Sequence, residues 1–178
     1  MVPLISNEKI PPWDQLSQQL HVVGPDTPLI ARESPMGTDL ALLFQRHTAD
    51  MHADTPPESI HMLPREDLVA DGIDFFVMRI AGRPVGMGAV KRLAGDVAEL
   101  KSMHILAEHR GVGLSRLMLS HLIDTARRGG VRRLYLETGI QPTFEAARAL
   151  YDRAGFTECP SFADYRPDPN SLFMELAL

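Results

Sequence analysis

Two apolar runs, residues 73–80 and 85–92, are joined by a gap of four residues, Ala81, Gly82 and Arg83 followed by Pro84. No crossover helix fits a gap that short, so the runs must pair as an antiparallel hairpin. A third run, Val97–Ile105, follows Gly95 and extends the hairpin into a meander. The period then changes. Gly111 and Gly113 lead into a helix over Leu114–Arg128, stopped by Gly129 and Gly130. Its Leu114, Leu117, Met118, Leu119, Leu122, Ile123 and Ala126 form a wide apolar arc suited to lying flat on a sheet. Residues 133–138 read as a strand, 144–153 as a helix stopped by Gly155, and 171–178 as a last strand. A meander running into a β-α-β-α-β tail predicts an α/β protein of the α+β type. Its sheet is mixed, mostly antiparallel, and flanked by helices.

Upstream, Leu29–Arg32 is a short strand. Thr38 or Asp39 suits the cap of a helix with Leu40, Leu43, Phe44 and Met51 at helical spacing. Pro56 and Pro57 make residues 52–64 a loop, and Pro64 suits the first turn of a short helix over 65–70. Residues 1–27, with Pro3, Pro11, Pro12 and Pro25, differ in texture. They read as an arm that packs on the domain or a partner, or is partly disordered, beside a single domain over 28–178.

The 178 residues carry 18 Lys and Arg against 23 Asp and Glu, a formal charge of −5. A general nucleic-acid binder needs a basic surface, so no nucleic-acid partner is expected. No apolar run approaches the roughly 18 residues of a membrane span, and no basic segment leads into an apolar one at the N-terminus. Neither a membrane partner nor secretion is expected. One cysteine, Cys159, permits no internal disulfide and no multi-cysteine zinc site, which fits a reducing, cytoplasmic setting. His47, His52 and His61 lack the paired spacing of ligands on one helix, so no metal is expected.

The chemistry-bearing stretch is residues 103–115, where a strand ends, a glycine-rich loop follows and a helix begins. The first N–H groups of a helix lack partners and its dipole favours negative charge there, while glycines let backbone approach a phosphate. On the residues alone this is either an anion site, with Arg110 adding charge, or a tight strand-to-helix turn. A P-loop is excluded because no Lys occurs after Lys101, and a dinucleotide fingerprint because Arg116 stands where its third glycine belongs.

Arg110, Gly111, Val112, Gly113, Leu114 and Ser115 resemble the Arg/Gln-x-x-Gly-x-Gly/Ala pyrophosphate loop of the GNAT superfamily of acetyl-CoA-dependent N-acyltransferases, with Ser115 in the last small position. Ala147, Leu150, Tyr151, Gly155 and Phe156 resemble the Ala-x-x-Leu-Tyr-x-x-x-Gly-Phe helix of the same family. Its frequent Asn is replaced here by Phe144. The likeness spans residues 29–178. It looks closest to a mostly uncharacterised bacterial subgroup with a Pro-Pro-Glu-Ser loop (56–59), a Glu-x-Lys-Ser-Met strand (99–103), a Leu-Glu-Thr-Gly strand (136–139) and an Asp-Tyr-x-x-Asp-Pro-x-Ser-x-Phe-Met ending (164–174).

The resemblance implies a GNAT fold whose splayed strands bind acetyl-CoA as co-substrate. The strand before the loop would carry thioester and pantetheine, with the Met103 N–H polarising the carbonyl and Ile105 pairing with pantetheine. His104 falls in that segment, but its side chain should point away from the Met103 face and is read as structural. Arg110 to Ser115 would hold the pyrophosphate. Tyr151 stands where the family often places the acid for the departing sulfur, and a phenol of pKa about 10 is protonated at neutral pH.

Glu99 lies at the spacing of a general-base glutamate in histone-type relatives. By the period of two, Glu99, Lys101 and Met103 share a strand face. The alternative is a plain Glu99–Lys101 ion pair, which would weaken Glu99 as a base. Glu137, on the neighbouring strand, is the reserve. Glu58, Ser59 and His61, on the loop over the cleft, are substrate-site candidates, and Lys101 suits an acceptor carboxylate. Arg127, Arg128, Arg132 and Arg133 read as charge complementing a helix C-terminus.

The leading expectation is an N-acetyltransferase acting by direct attack on a small primary amine or amino-acid-like compound in a ternary complex. A protein acetyltransferase, for lysine or an N-terminus, is the second reading, and a non-catalytic acyl-CoA sensor the third. A homodimer is compatible with each.

Overall fold

The meander and the tail meet in one sheet. In the computed structural model, which describes Gly24 and residues 26–178, the strands are β1 (Leu29–Arg32), β2 (Ile73–Ile80), β3 (Arg83–Arg92), β4 (Val97–Ile105), β5 (Arg133–Gly139), β6 (Thr157–Glu158) and β7 (Ser171–Ala177). Their order is β1-β2-β3-β4-β5-β7-β6, and only β4–β5 is parallel, because α2 (Leu114–Arg128) crosses between them. The other helices are α1 (Ala41–His52) and α3 (Glu145–Arg153). Apart from Gly24, Asp26 and Thr27, the expected N-terminal arm lies outside the described residues.

β3 begins two residues earlier than expected. Ala81 (φ 48°) and Gly82 (φ 77°) are both left-handed, and such a two-residue turn matches the twist of the strands it joins. The expected cap of α1 is not made. Residues 38–40 wind as a 3₁₀ turn without a side-chain cap, because the Asp39 carboxylate is taken by Arg79 Nη1 at 2.6 Å. Residues 65–69 form a 3₁₀ turn.

Alternation along the strands supplies both faces of the sheet. Phe75, Val77, Met87 and Ala89 pack with Leu40 and Leu43 on the α1 side. Phe76, Met78, Val90 and Leu100 pack with Met118, Leu119 and Leu122 on the α2 side. There α2 rides close over Gly88, where a Cβ would lie 2.8 Å from Leu122 Cδ1. Among the described residues no helix is long and apolar enough to cross a membrane.

Candidate functional site

β4 and β5 run side by side only briefly. Their pairs are Val97–Arg133, Ala98–Leu134 and Glu99–Tyr135, and among the described residues none follows. Beyond Glu99 the strands part, so the β5-facing edge of β4 offers backbone N–H and C=O groups without a ladder. A cavity of about 120 Å³ opens in the gap, walled by Met103, Glu137, Phe144, Tyr151 and the 55–62 loop. Thr55 Oγ1 and Ser102 Oγ in that wall are buried without a hydrogen-bond partner. Buried polar groups are normally satisfied, so these two suit a polar ligand.

A β-bulge decides which side chains face which way. Met87 is opposite His104 and Ala89 opposite Lys101, so Ser102 and Met103 together face Gly88. Ser102 takes a left-handed φ of 52° to absorb the extra residue. The shared face expected for Glu99, Lys101 and Met103 is therefore corrected. Met103 packs on the α2 side, while His104 joins Glu99 and Lys101 on the α1 side, its ring 5.4 Å from that of His47. His104 does point away from the Met103 face. Burial lowers both histidines to about 4 and keeps them neutral at physiological pH.

Glu99 and Lys101 are 2% and 8% exposed and form an ion pair at 3.3 Å. The Tyr165 hydroxyl, from the segment before β7, donates to Glu99 Oε1 at 2.6 Å. Lys101 Nζ donates to the Tyr165 oxygen at 2.7 Å and to the His61 carbonyl at 3.0 Å. Two of the ammonium protons are thus hydrogen-bonded inside the protein, and the charge is matched by Glu99. Glu99 lines an open groove of about 760 Å³ between the 58–63 and 163–170 segments, not the cavity. Lys101, Ser59, His61 and Met62 line both spaces, so the groove and the cavity are neighbours across these residues.

Glu137 sits in the cavity wall with Tyr151. Burial raises its carboxyl above the usual range, although Ser171 Oγ donates to its Oε1 at 2.6 Å and opposes the rise. Burial, with the nearby Glu137 charge, pushes the Tyr151 phenol up to about 12, so it stays protonated. Of the loop candidates, Ser59 is buried and accepts from Asn170 Nδ2 at 3.1 Å, and His61 lies 3.6 Å from Asp168. Glu58 is exposed at the groove edge.

Gly113, with φ 89°, starts α2 and leaves it without a side-chain cap. Gly111 is also left-handed, at φ 82°, so the 110–113 loop needs both glycines for its path. The first N–H groups of α2, including those of Leu114 and Ser115, stand open to an anion. Val112 is exposed at the loop tip. Arg110 bends back, its Nε donating to the Ile105 carbonyl at 2.8 Å and its Nη2 to Asp50 Oδ2 at 2.7 Å. The helix-end arginines have acidic or hydroxyl partners, as in Arg127–Asp124, Arg133–Glu175 and Arg128–Thr125. Among the described residues no three His, Cys, Asp or Glu side chains are grouped to hold a metal.

Sequence reasoning gave no role to Tyr165, Asn170 or Ser171. They lie in the 164–174 signature, but their partners are distant in the chain. The family and the fold have counterparts among known proteins. The profile of the acetyltransferase (GNAT) family matches residues 40–156. The chain is 41% identical over 138 residues to the uncharacterised N-acetyltransferase YsnE of Bacillus subtilis, covering 78% of this chain and 91% of that one. It is 38% identical over 154 residues to an IAA acetyltransferase of Azospirillum brasilense, covering 84% and 97%. A crystal structure assigned as an acyl-CoA N-acyltransferase from Klebsiella pneumoniae superposes with a TM-score of 0.71 at 31% identity, over 85% of this chain and 98% of that one.

Proposed function

The chain belongs to the acetyltransferase (GNAT) family and is an acyltransferase, and on that premise we propose that it moves an acetyl group from acetyl-CoA to the primary amine of a small, amino-acid-like acceptor by direct attack in a ternary complex. The observation that carries this reading is the cavity between the parted strands, where Glu137 and Tyr151 share one wall. Acetyl-CoA fits the residues present: an uncapped helix start for pyrophosphate, an open strand edge, and two unpartnered hydroxyls. When bound, it supplies an activated acyl group and a thiolate leaving group.

In this reading the Arg110–Ser115 backbone holds the pyrophosphate, Ile105 pairs with pantetheine, and the Met103 N–H polarises the carbonyl. Glu137, whose carboxyl is raised by burial and so is a stronger base than an exposed glutamate, takes the proton from the acceptor ammonium. Tyr151 gives its proton to the departing sulfur. Glu99 serves as the partner of Lys101 and Tyr165 instead of the base. The groove supplies the acceptor's entry. It carries both signs, with Glu58 and Asp164 against Lys91 and Arg166, and this favours an acceptor bearing both charges over a basic peptide. Since Lys101 is already paired with Glu99 and bonded to Tyr165 and His61, an acceptor carboxylate is met by Lys91 or Arg166.

Free thiol released from acetyl-CoA, followed across amino acids, polyamines and short peptides with free N-termini, tests the reading. Release is expected with amino-acid-like amines, and Tyr151→Phe lowers kcat about 10²-fold with acetyl-CoA affinity kept. Full activity in that variant removes the acid role. Tight acetyl-CoA binding with no release across the panel replaces the enzyme by a sensor.

A further inference from the structure

Four stretches distant in the chain, 56–59, 99–103, 136–139 and 164–174, meet at one point of the fold. Ser171 reaches Glu137, Asn170 reaches Ser59, and Tyr165 reaches Glu99 and Lys101. Among these contacts, that of Tyr165 joins three parts of the groove at once. Its hydroxyl donates to the floor at Glu99 and accepts from Lys101, which also holds the far wall through the His61 carbonyl. Its ring stands edge-on to His61 at 5.2 Å and 86° and packs on Phe162 and Phe173, at 5.0 and 5.4 Å.

The ring and the hydroxyl therefore serve separate ends. A phenylalanine fills the same aromatic nest, and the Glu99–Lys101 pair closes without help. What the hydroxyl adds is a tie between the 163–170 segment and that buried pair. Burial beside Glu99 holds the phenol protonated, so it remains a donor.

We propose that Tyr165 is a positioning residue for the acceptor: its hydroxyl ties the 163–170 segment to Glu99 and Lys101, and so fixes the width of the groove through which the acceptor amine reaches Glu137. The proposal rests on the reading of this groove as the acceptor's entry to an acetyltransferase site. Tyr165 lines the groove and not the cavity, reaching the cavity wall only through Lys101 and His61, so its effect is expected in acceptor binding.

Tyr165→Phe tests it, with two readouts. In the thiol assay, with the most active amine of the panel as probe, KM for the amine rises about tenfold, while kcat stays within threefold and the acetyl-CoA Kd within twofold. In hydrogen exchange, which needs no acceptor, backbone amides of 163–170 exchange about tenfold faster. An unchanged amine KM, a fall in kcat at constant KM, or a parallel loss of acetyl-CoA affinity overturns the proposal. So does unchanged exchange. A wild-type protein that releases no thiol with any amine overturns the transferase reading alone, and the exchange result then decides whether the tie exists.

Discussion

Glu99 and Glu137 stand on neighbouring strands and on the same face of the sheet, yet they are opposite kinds of carboxylate. Glu99 is closed in by a cation 3.3 Å away and a phenol at 2.6 Å. Glu137 has one hydroxyl donor, partial burial and a place in the cavity wall beside Tyr151. The parting of β4 from β5 creates the difference. Glu99 belongs to the last paired position, where Lys101 and Tyr165 can close over it, and Glu137 belongs to the gap. The contrast supports a structural role for Glu99 and the proton transfer proposed for Glu137.

The largest expected effect tests the structural member. Lys101→Met leaves Glu99 buried without its cation and should cost about 3–5 kcal/mol of stability, measured by urea unfolding. Pairing it with Glu99→Leu should recover most of that loss, since no uncompensated charge remains. A single variant as stable as the wild type breaks the contrast.

Next comes the chemical member. Glu137→Gln should lower kcat/KM about 10²- to 10³-fold. Because burial raises the Glu137 carboxyl, the wild-type rate should fall as pH drops through that raised value, and this acid limb should vanish in the variant. The stability sign is opposite. A carboxyl raised on folding favours the folded state when protonated and penalises it as pH rises, so Glu137→Gln should be slightly more stable at neutral pH. An acid limb that survives in Glu137→Gln and disappears in Glu99→Gln would reverse the two roles.

The smallest effect sharpens the contrast. Ser171→Ala removes the donor that favours the charged form of Glu137. The acid limb should move to higher pH by less than about one pH unit, with the plateau changed less than about tenfold. A limb that moves down contradicts the hydrogen bond.

Local features were legible in the sequence and non-local ones were not. Helix α2 and strands β2 and β4 follow from hydrophobic period, and the 110–115 loop from glycines beside a helix start. β6, two residues long, has too little length for a period to show. The bulge at Ser102 was hidden because the left-handed residue is a serine, where a glycine usually marks the place. One unmarked residue was enough to set Met103 on the wrong face. Tyr165 was hidden for another reason: Lys101 and Glu99 lie 64 and 66 residues away in the chain, and no local pattern encodes that meeting. Spacing also pointed to Glu99 before Glu137: it put Lys101 beside Glu99, but it carries no information on Tyr165 closing over that pair or on Glu137 lying in the gap.

In mechanical terms the sheet is two plates, β1 to β4 and β5 with β7 and β6, hinged on a seam of three residue pairs. The plates are stiff because each is laced by long antiparallel ladders. The seam is short, so relative rocking of the plates concentrates there. Anything seated across the gap acts as a second fastening below the hinge. Binding in this molecule should therefore register first as a stiffer seam, and only afterwards in the loops around it.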